Sequence, residues 1–105
     1  MKLGDVRKVR TLTELHEIMN NNDKVVLDLA APSWCVPCQR LAPHFAKAAE
    51  KSDAAFVEVD IEDAEQAILD TYPTQSVPTV LLLQNGEPTV TLKGRTSVAL
   101  LKEIG

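Results

Sequence analysis

Apolar residues recur along this chain at two spacings, close to 3.6 and close to 2, and the changes from one to the other mark out its elements. Val6–Arg10 predicts a short strand. Thr11 then opens a helix, because Glu14 follows three residues on and each side chain can satisfy the other's free backbone N–H. Leu12, Leu15, Ile18 and Met19 supply its apolar face, and the polar run Asn20-Asn21-Asn22-Asp23 ends it. Lys24–Ala30 is an almost unbroken apolar run, the pattern of a strand covered on both faces, with one carboxylate, Asp28, inside it. After a loop, Ala31–Trp34, a helix is predicted from near Cys35 to about Lys51. Its inward stripe is Cys38, Leu41, Ala42, Phe45, Ala48 and Ala49, and Pro43 inside it removes a backbone donor, which predicts a kink.

Ala55–Ile61 reads as a second central strand, and Ala64–Asp70 as a short helix with Asp63 as its N-cap. Thr79–Leu83 is a third strand. Asn85-Gly86 signals a hairpin turn, since both residues tolerate positive φ, and Pro88–Lys93 returns antiparallel. Gly94 breaks that strand. Thr96 or Ser97 caps a last helix with Val98, Leu101 and Ile104 on its buried side. The order β-α-β-α-β-α-β-β-α predicts an α/β fold: a mixed sheet with parallel core strands, an antiparallel C-terminal hairpin and helices on both faces. At 105 residues the expectation is one domain over 1–105.

Charge and composition narrow the partners. A formal net charge of −4 repels phosphate backbones and anionic lipid, so neither nucleic acid nor membrane is expected as a partner. Lys2, Arg7, Lys8 and Arg10 make the N-terminal stretch more basic, and read as a solvated edge strand. Met1–Asp5 holds no apolar stretch of a secretory signal, and no apolar run approaches the length of a bilayer span. The expectation is a soluble, cytoplasmic monomer.

In a reducing compartment a lasting structural disulfide is disfavoured, so cysteines at Cys-x-x-Cys spacing point to redox or metal chemistry. The chain has 2 cysteines, Cys35 and Cys38. With Cys35 at the first turn of a helix, Cys38 lies on the same face one turn later, near enough for a small disulfide ring. Helix N–H groups and the positive end of the helix dipole favour thiolate at Cys35. Desolvation favours the neutral thiol at Cys38, which predicts an exposed nucleophile and a shielded resolving group. Zinc is the rival, but a structural site needs four ligands and only His16 and His44 could complete the set, so no metal is expected.

Trp34-Cys35-Val36-Pro37-Cys38 resembles the Trp-Cys-Gly-Pro-Cys signature of the thioredoxin family, and Cys-x-x-Cys beside a βαβ pattern is a general mark of such redox domains. Val25-Val26-Leu27-Asp28, Leu41-Ala42-Pro43, Val77-Pro78-Thr79, Asn85-Gly86 and Lys93-Gly94 resemble further family segments, in the family's order and nearly its spacing. The resemblance implies a thioredoxin fold and reduction of client disulfides, with Cys35 as nucleophile, Cys38 as resolving thiol and Asp28 as the base for Cys38. It implies a cis bond before Pro78, strand-like pairing of Val77's backbone with an extended client, and a docking patch of Trp34, Val36, Pro37, Val77, Pro78 and Gly94. No bound cofactor is implied; thioredoxin reductase would reset the pair, and ribonucleotide reductase is one candidate client.

The chain also departs from that family. Six residues separate Asp28 from Cys35, where the family has five. Either Ala31-Pro32-Ser33 absorbs the extra residue, or Leu29 takes the aspartate's place and Asp28 faces the other side of the sheet. Glu58 stands where many bacterial relatives carry lysine; near Asp28 it would raise a carboxyl pKa by repulsion, and otherwise it faces solvent. Val36 replaces a glycine and adds bulk beside Cys35. With Pro37 and no histidine between the cysteines, a reductant is expected rather than an oxidase or isomerase. The alternative is a thioredoxin-fold binding subunit of a larger assembly in which redox activity is incidental.

Overall fold

A computed structural model describes residues 5–105; Lys2 of the basic stretch and the reading of Met1–Gly4 as lacking a leader lie outside them. The elements follow the predicted order: β1 (Val6–Lys8), α1 (Leu12–Asn20), β2 (Lys24–Ala30), α2 (Val36–Lys51), β3 (Ala55–Asp60), α3 (Gln66–Thr71), β4 (Thr79–Gln84), β5 (Val90–Leu92) and α4 (Ser97–Ile104). The sheet runs β1-β3-β2-β4-β5. β1 and β2 flank β3 in parallel, β4 runs antiparallel to β2, and β5 antiparallel to β4.

Strand alternation divides the core in two. Val25, Leu27, Leu29, Val57 and Val59 pack with Leu15 and Ile18 of α1 and Ile68 of α3. Val26, Phe56, Val80 and Leu82 pack with Leu41, Phe45, Ala48 and Ala49 of α2 and Leu100 and Ile104 of α4. Phe45 meets Phe56 edge-on at 4.9 Å between centroids. Burying each such side chain contributes about 2 kcal/mol. Asp28 shares the α2 face with Val26, two residues before it.

The predicted capping box forms: Thr11 Oγ1 accepts the Glu14 N–H at 3.2 Å, and Glu14 Oε1 accepts the Thr11 N–H at 3.1 Å. Pro43 lies within α2, where it cannot donate to the Gln39 carbonyl.

Several boundaries and faces differ from the sequence reading. α3 begins at Gln66 after Glu65, with no side-chain cap, instead of after Asp63. Asp63 pairs with Arg10 at 3.0 Å, and the Glu65 N–H donates to the Arg10 carbonyl at 2.7 Å, so contacts with the β1–α1 turn set where the helix starts. β1 stops at Lys8. β5 is shorter than Pro88–Lys93: Pro88 has no N–H for a ladder, and the Lys93 N–H goes to Glu103 Oε1 at 2.8 Å. In the hairpin turn only Gly86 has positive φ (75°), and the Glu87 N–H closes on the Gln84 carbonyl at 3.1 Å. In α4 the inner residues are Ser97, Leu100 and Ile104, while Val98 is 62% exposed, because a cap at Thr96 sets the helix phase. Ala42, at the rim of the α2 stripe, is exposed.

Candidate active site

The path from β2 into α2 is tightly turned. The Ala31 carbonyl accepts both the Trp34 N–H (3.2 Å) and the Cys35 N–H (2.9 Å), so the extra residue is taken up within Ala31–Trp34 and the strand register is undisturbed. Asp28 therefore stays on the α2 face and Leu29 on the opposite one, which settles the two readings of the spacing. Cys35 is the N-cap of α2, and its Sγ accepts the Cys38 N–H at 3.2 Å. Pro37 fits the first turn, where its missing N–H costs nothing.

Cys35 and Cys38 form a disulfide, with their Cα atoms 5.2 Å apart. Their expected difference in exposure is absent from this oxidised structure: each is 3% exposed. Both pack with Ala30 and Ala31 against Ile61 and Val77, and Cys35 Sγ lies 3.7 Å from the Val77 carbonyl, so the loop before Pro78 covers it. What distinguishes the two is position in the helix: the Cys35 sulfur receives a first-turn N–H at the positive end of the dipole. The Val77–Pro78 bond is cis.

Trp34 is 58% exposed and Val36 49% exposed, so Trp34 is a surface residue of the loop and not a core tryptophan. Gly94 sits tight against α4: a Cβ there would lie 2.7 Å from Ala99 Cβ and 2.7 Å from Glu103 Oε2.

Asp28 is 2% exposed, and its Oδ1 has no hydrogen-bond partner in the protein. Burial first, and the Glu58 carboxylate second, push its pKa from 3.8 to about 7, while the Arg95 cation pulls it down. Glu58 pairs with Asp28 across β2 and β3, and its side chain is 17% exposed, so it does not simply face solvent. Its Oε1 lies 3.9 Å from the Nζ of the exposed Lys8, a long contact to a solvated ammonium that is worth little.

Three residues near the site escape sequence reasoning. Glu62 accepts the Trp34 indole N–H and the Ser33 hydroxyl, each at 2.8 Å. Glu103 accepts the Lys93 and Gly94 N–H groups at 2.8 and 2.6 Å. Arg95 donates to three backbone carbonyls. Each acts across a fold-level contact that no local spacing encodes. Among the described residues there is no group of three or more His, Cys, Asp or Glu able to hold a metal ion, and no helix long and apolar enough to cross a membrane.

Comparison with known proteins gives a consistent result. The Thioredoxin family model matches residues 6–104. A thioredoxin of Mycoplasma genitalium is 39% identical over 82 residues, 77% of this chain and 78% of the relative. The mitochondrial thioredoxin-3 of Saccharomyces cerevisiae is 31% identical over 100 residues, 94% of this chain and 77% of the relative. Among solved structures, a mutant thioredoxin from Halobacterium salinarum superposes with a TM-score of 0.86 at 33% identity, covering 99% of this chain and 91% of that one. Thioredoxins carry no bound cofactor, act on disulfide-containing client proteins, and are in general reduced by thioredoxin reductase. Fold, cysteine geometry and matched span agree: this chain belongs to the thioredoxin family, and its activity is protein thiol–disulfide exchange through Cys35 and Cys38.

Proposed function

We propose that this chain is a single domain over 1–105 that reduces client disulfides, with Cys35 attacking first and Cys38 resolving. The observation that carries the assignment is the Cys38 N–H donated to Cys35 Sγ at the start of α2. In the dithiol form that bond and the helix dipole stabilise a thiolate at Cys35. The thiolate attacks one sulfur of the client disulfide, forms a mixed disulfide and expels the other sulfur as thiolate. Cys38 then loses its proton and attacks Cys35 Sγ, and the second client sulfur leaves. The client gains two electrons and two protons, and the Cys35–Cys38 disulfide forms.

Asp28 is the proposed acceptor of the Cys38 proton. A carboxyl with a pKa of about 7 is present in both protonation states near neutrality, which suits it to take a proton and pass it on. Glu58 is proposed to tune it. Trp34, Val36, Pro37, Val77, Pro78 and Gly94 form the docking patch. The exposed Trp34 and Val36 supply apolar area, and Val77 supplies backbone for strand-like pairing. We further propose a cytoplasmic monomer that carries electrons from thioredoxin reductase, with ribonucleotide reductase among its clients.

Catalysed reduction of insulin by dithiothreitol tests the assignment. Cys35→Ser should abolish the catalysed rate. Pre-reduced Cys38→Ser, mixed with insulin after dithiothreitol is removed, should retain attack and accumulate a mixed disulfide with the client. A Cys35→Ser protein that reduces insulin at the wild-type rate would overturn the nucleophile assignment.

A further inference from the structure

β5 ends at Leu92, so the backbone polar groups of the next residues have no ladder partners and must be satisfied otherwise. Side chains take that task from two directions. Glu103 on α4 holds the N–H groups of Lys93 and Gly94. Arg95 holds carbonyls: Nη1 donates to Leu92 O at 3.2 Å and to Gly94 O at 2.8 Å, and Nη2 donates to Pro78 O at 3.3 Å. The last bond leaves the Gly94 turn and crosses to the loop whose Val77 carbonyl lies beside Cys35 Sγ.

Resting on the exchange reading above, we propose that Arg95 is a positioning residue that fastens the Pro78 loop to the Gly94 turn, so that the two present one rigid docking edge to a client's extended segment. A guanidinium is suited to this task, because its planar fork reaches carbonyls on two segments at once, and an ammonium on a flexible stem cannot keep that span. A docking edge held in place before the client arrives spares the ordering cost of binding. Among the described residues the ion pairs are Lys8–Glu58 and Arg10–Asp63, so the Arg95 charge is bound by carbonyl dipoles and not by a carboxylate. That charge also acts on Asp28, where it opposes burial and Glu58, the charged group facing Asp28 from β3.

The test compares wild type, Arg95→Lys and Arg95→Gln on insulin and on the small disulfide 5,5′-dithiobis(2-nitrobenzoate). Melting temperatures are used to confirm that each variant is folded. Losing the bridge removes binding common to ground and transition states, so Arg95→Lys should raise KM for insulin about fivefold and leave kcat within about twofold. The rate of Arg95→Lys with the small disulfide, which needs no docking edge, should not change. Arg95→Gln should raise KM similarly and also move the Asp28 titration, followed by carboxyl-carbon NMR of the oxidised protein, to higher pH; Arg95→Lys should leave it in place. A wild-type KM for insulin in both variants overturns the proposal. So does a parallel loss with both disulfides in Arg95→Lys, which keeps the charge acting on Asp28; that loss would place the defect in the chemistry and not in docking. Wild type that reduces neither disulfide would instead sink the exchange reading, and this inference with it.

Discussion

Replacing Asp28 with Asn converts a buried carboxyl into a neutral group of the same shape, and the effect on stability should depend on pH in a defined way. In the fold the carboxyl titrates at about 7, against 3.8 as its ordinary value, because burial and then Glu58 disfavour the charge. Between those two pH values the folded chain keeps a proton that the unfolded chain has released. Wild-type stability therefore falls relative to Asp28→Asn as pH rises through that window, and the gap stops growing above about 7. The full separation is worth about 4 kcal/mol. The Asn amide is itself buried and short of partners, which costs about 1–2 kcal/mol at every pH. Only the pH-dependent part is therefore diagnostic. Urea unfolding of both oxidised proteins at pH 4, 5.5, 7 and 9 measures it, since unfolding free energies follow from midpoint and slope. The variant should gain about 3–4 kcal/mol over wild type between the lowest and highest pH, nearly all of it below neutrality. Parallel stability curves would refute the reasoning, because they would mean that Asp28 ionises as easily in the fold as in the unfolded chain.

Other consequences are sharper in geometry than in pH. Gly94→Ala sets a Cβ at 2.7 Å from Ala99 Cβ on a helix that cannot easily retreat, and should cost about 1–3 kcal/mol by urea unfolding. In α4, Leu100→Ala should cost about 3 kcal/mol, whereas Val98→Ala should stay within about 0.5 kcal/mol; equal losses would contradict the helix phase described above. Glu62→Ala removes the partner of both Ser33 and the Trp34 indole, so the fluorescence anisotropy of Trp34 should fall, and an unchanged value would show that the loop is held by other contacts.

Much of the fold was legible because its signals are local. The capping box of α1, the apolar run of β2, the Pro-Cys start of α2 and the glycine of the hairpin turn each act within a few residues of where they are read. The misread features are set at a distance. Asp63 has the composition of a helix cap, but Arg10, 53 residues away, takes its carboxylate and the helix begins later. Val98 fits an apolar stripe by spacing, yet the cap at Thr96 turns it outward. At the site, the cysteines and the carboxylate were readable as residue types at given spacings. Their burial was not: an exposed Cys35 was expected, and the covering Val77 loop comes from the far end of α3. Glu62, Glu103 and the bond from Arg95 to the Pro78 carbonyl have no local signature, since each reaches backbone or side chains that only the folded chain brings near.

The outermost strands, Val6–Lys8 and Val90–Leu92, are three residues each. A catalyst that grips other chains by their backbone risks gripping copies of itself, because any long open row of amides invites another strand to zip alongside. Here one border carries the cations Arg7 and Lys8, the other follows a proline at 88, and neither is long enough to hold a foreign segment firmly. On the proposed docking reading, backbone pairing is thereby left to the loop beside the sulfurs, where the attack of Cys38 on the mixed disulfide also frees the captured chain.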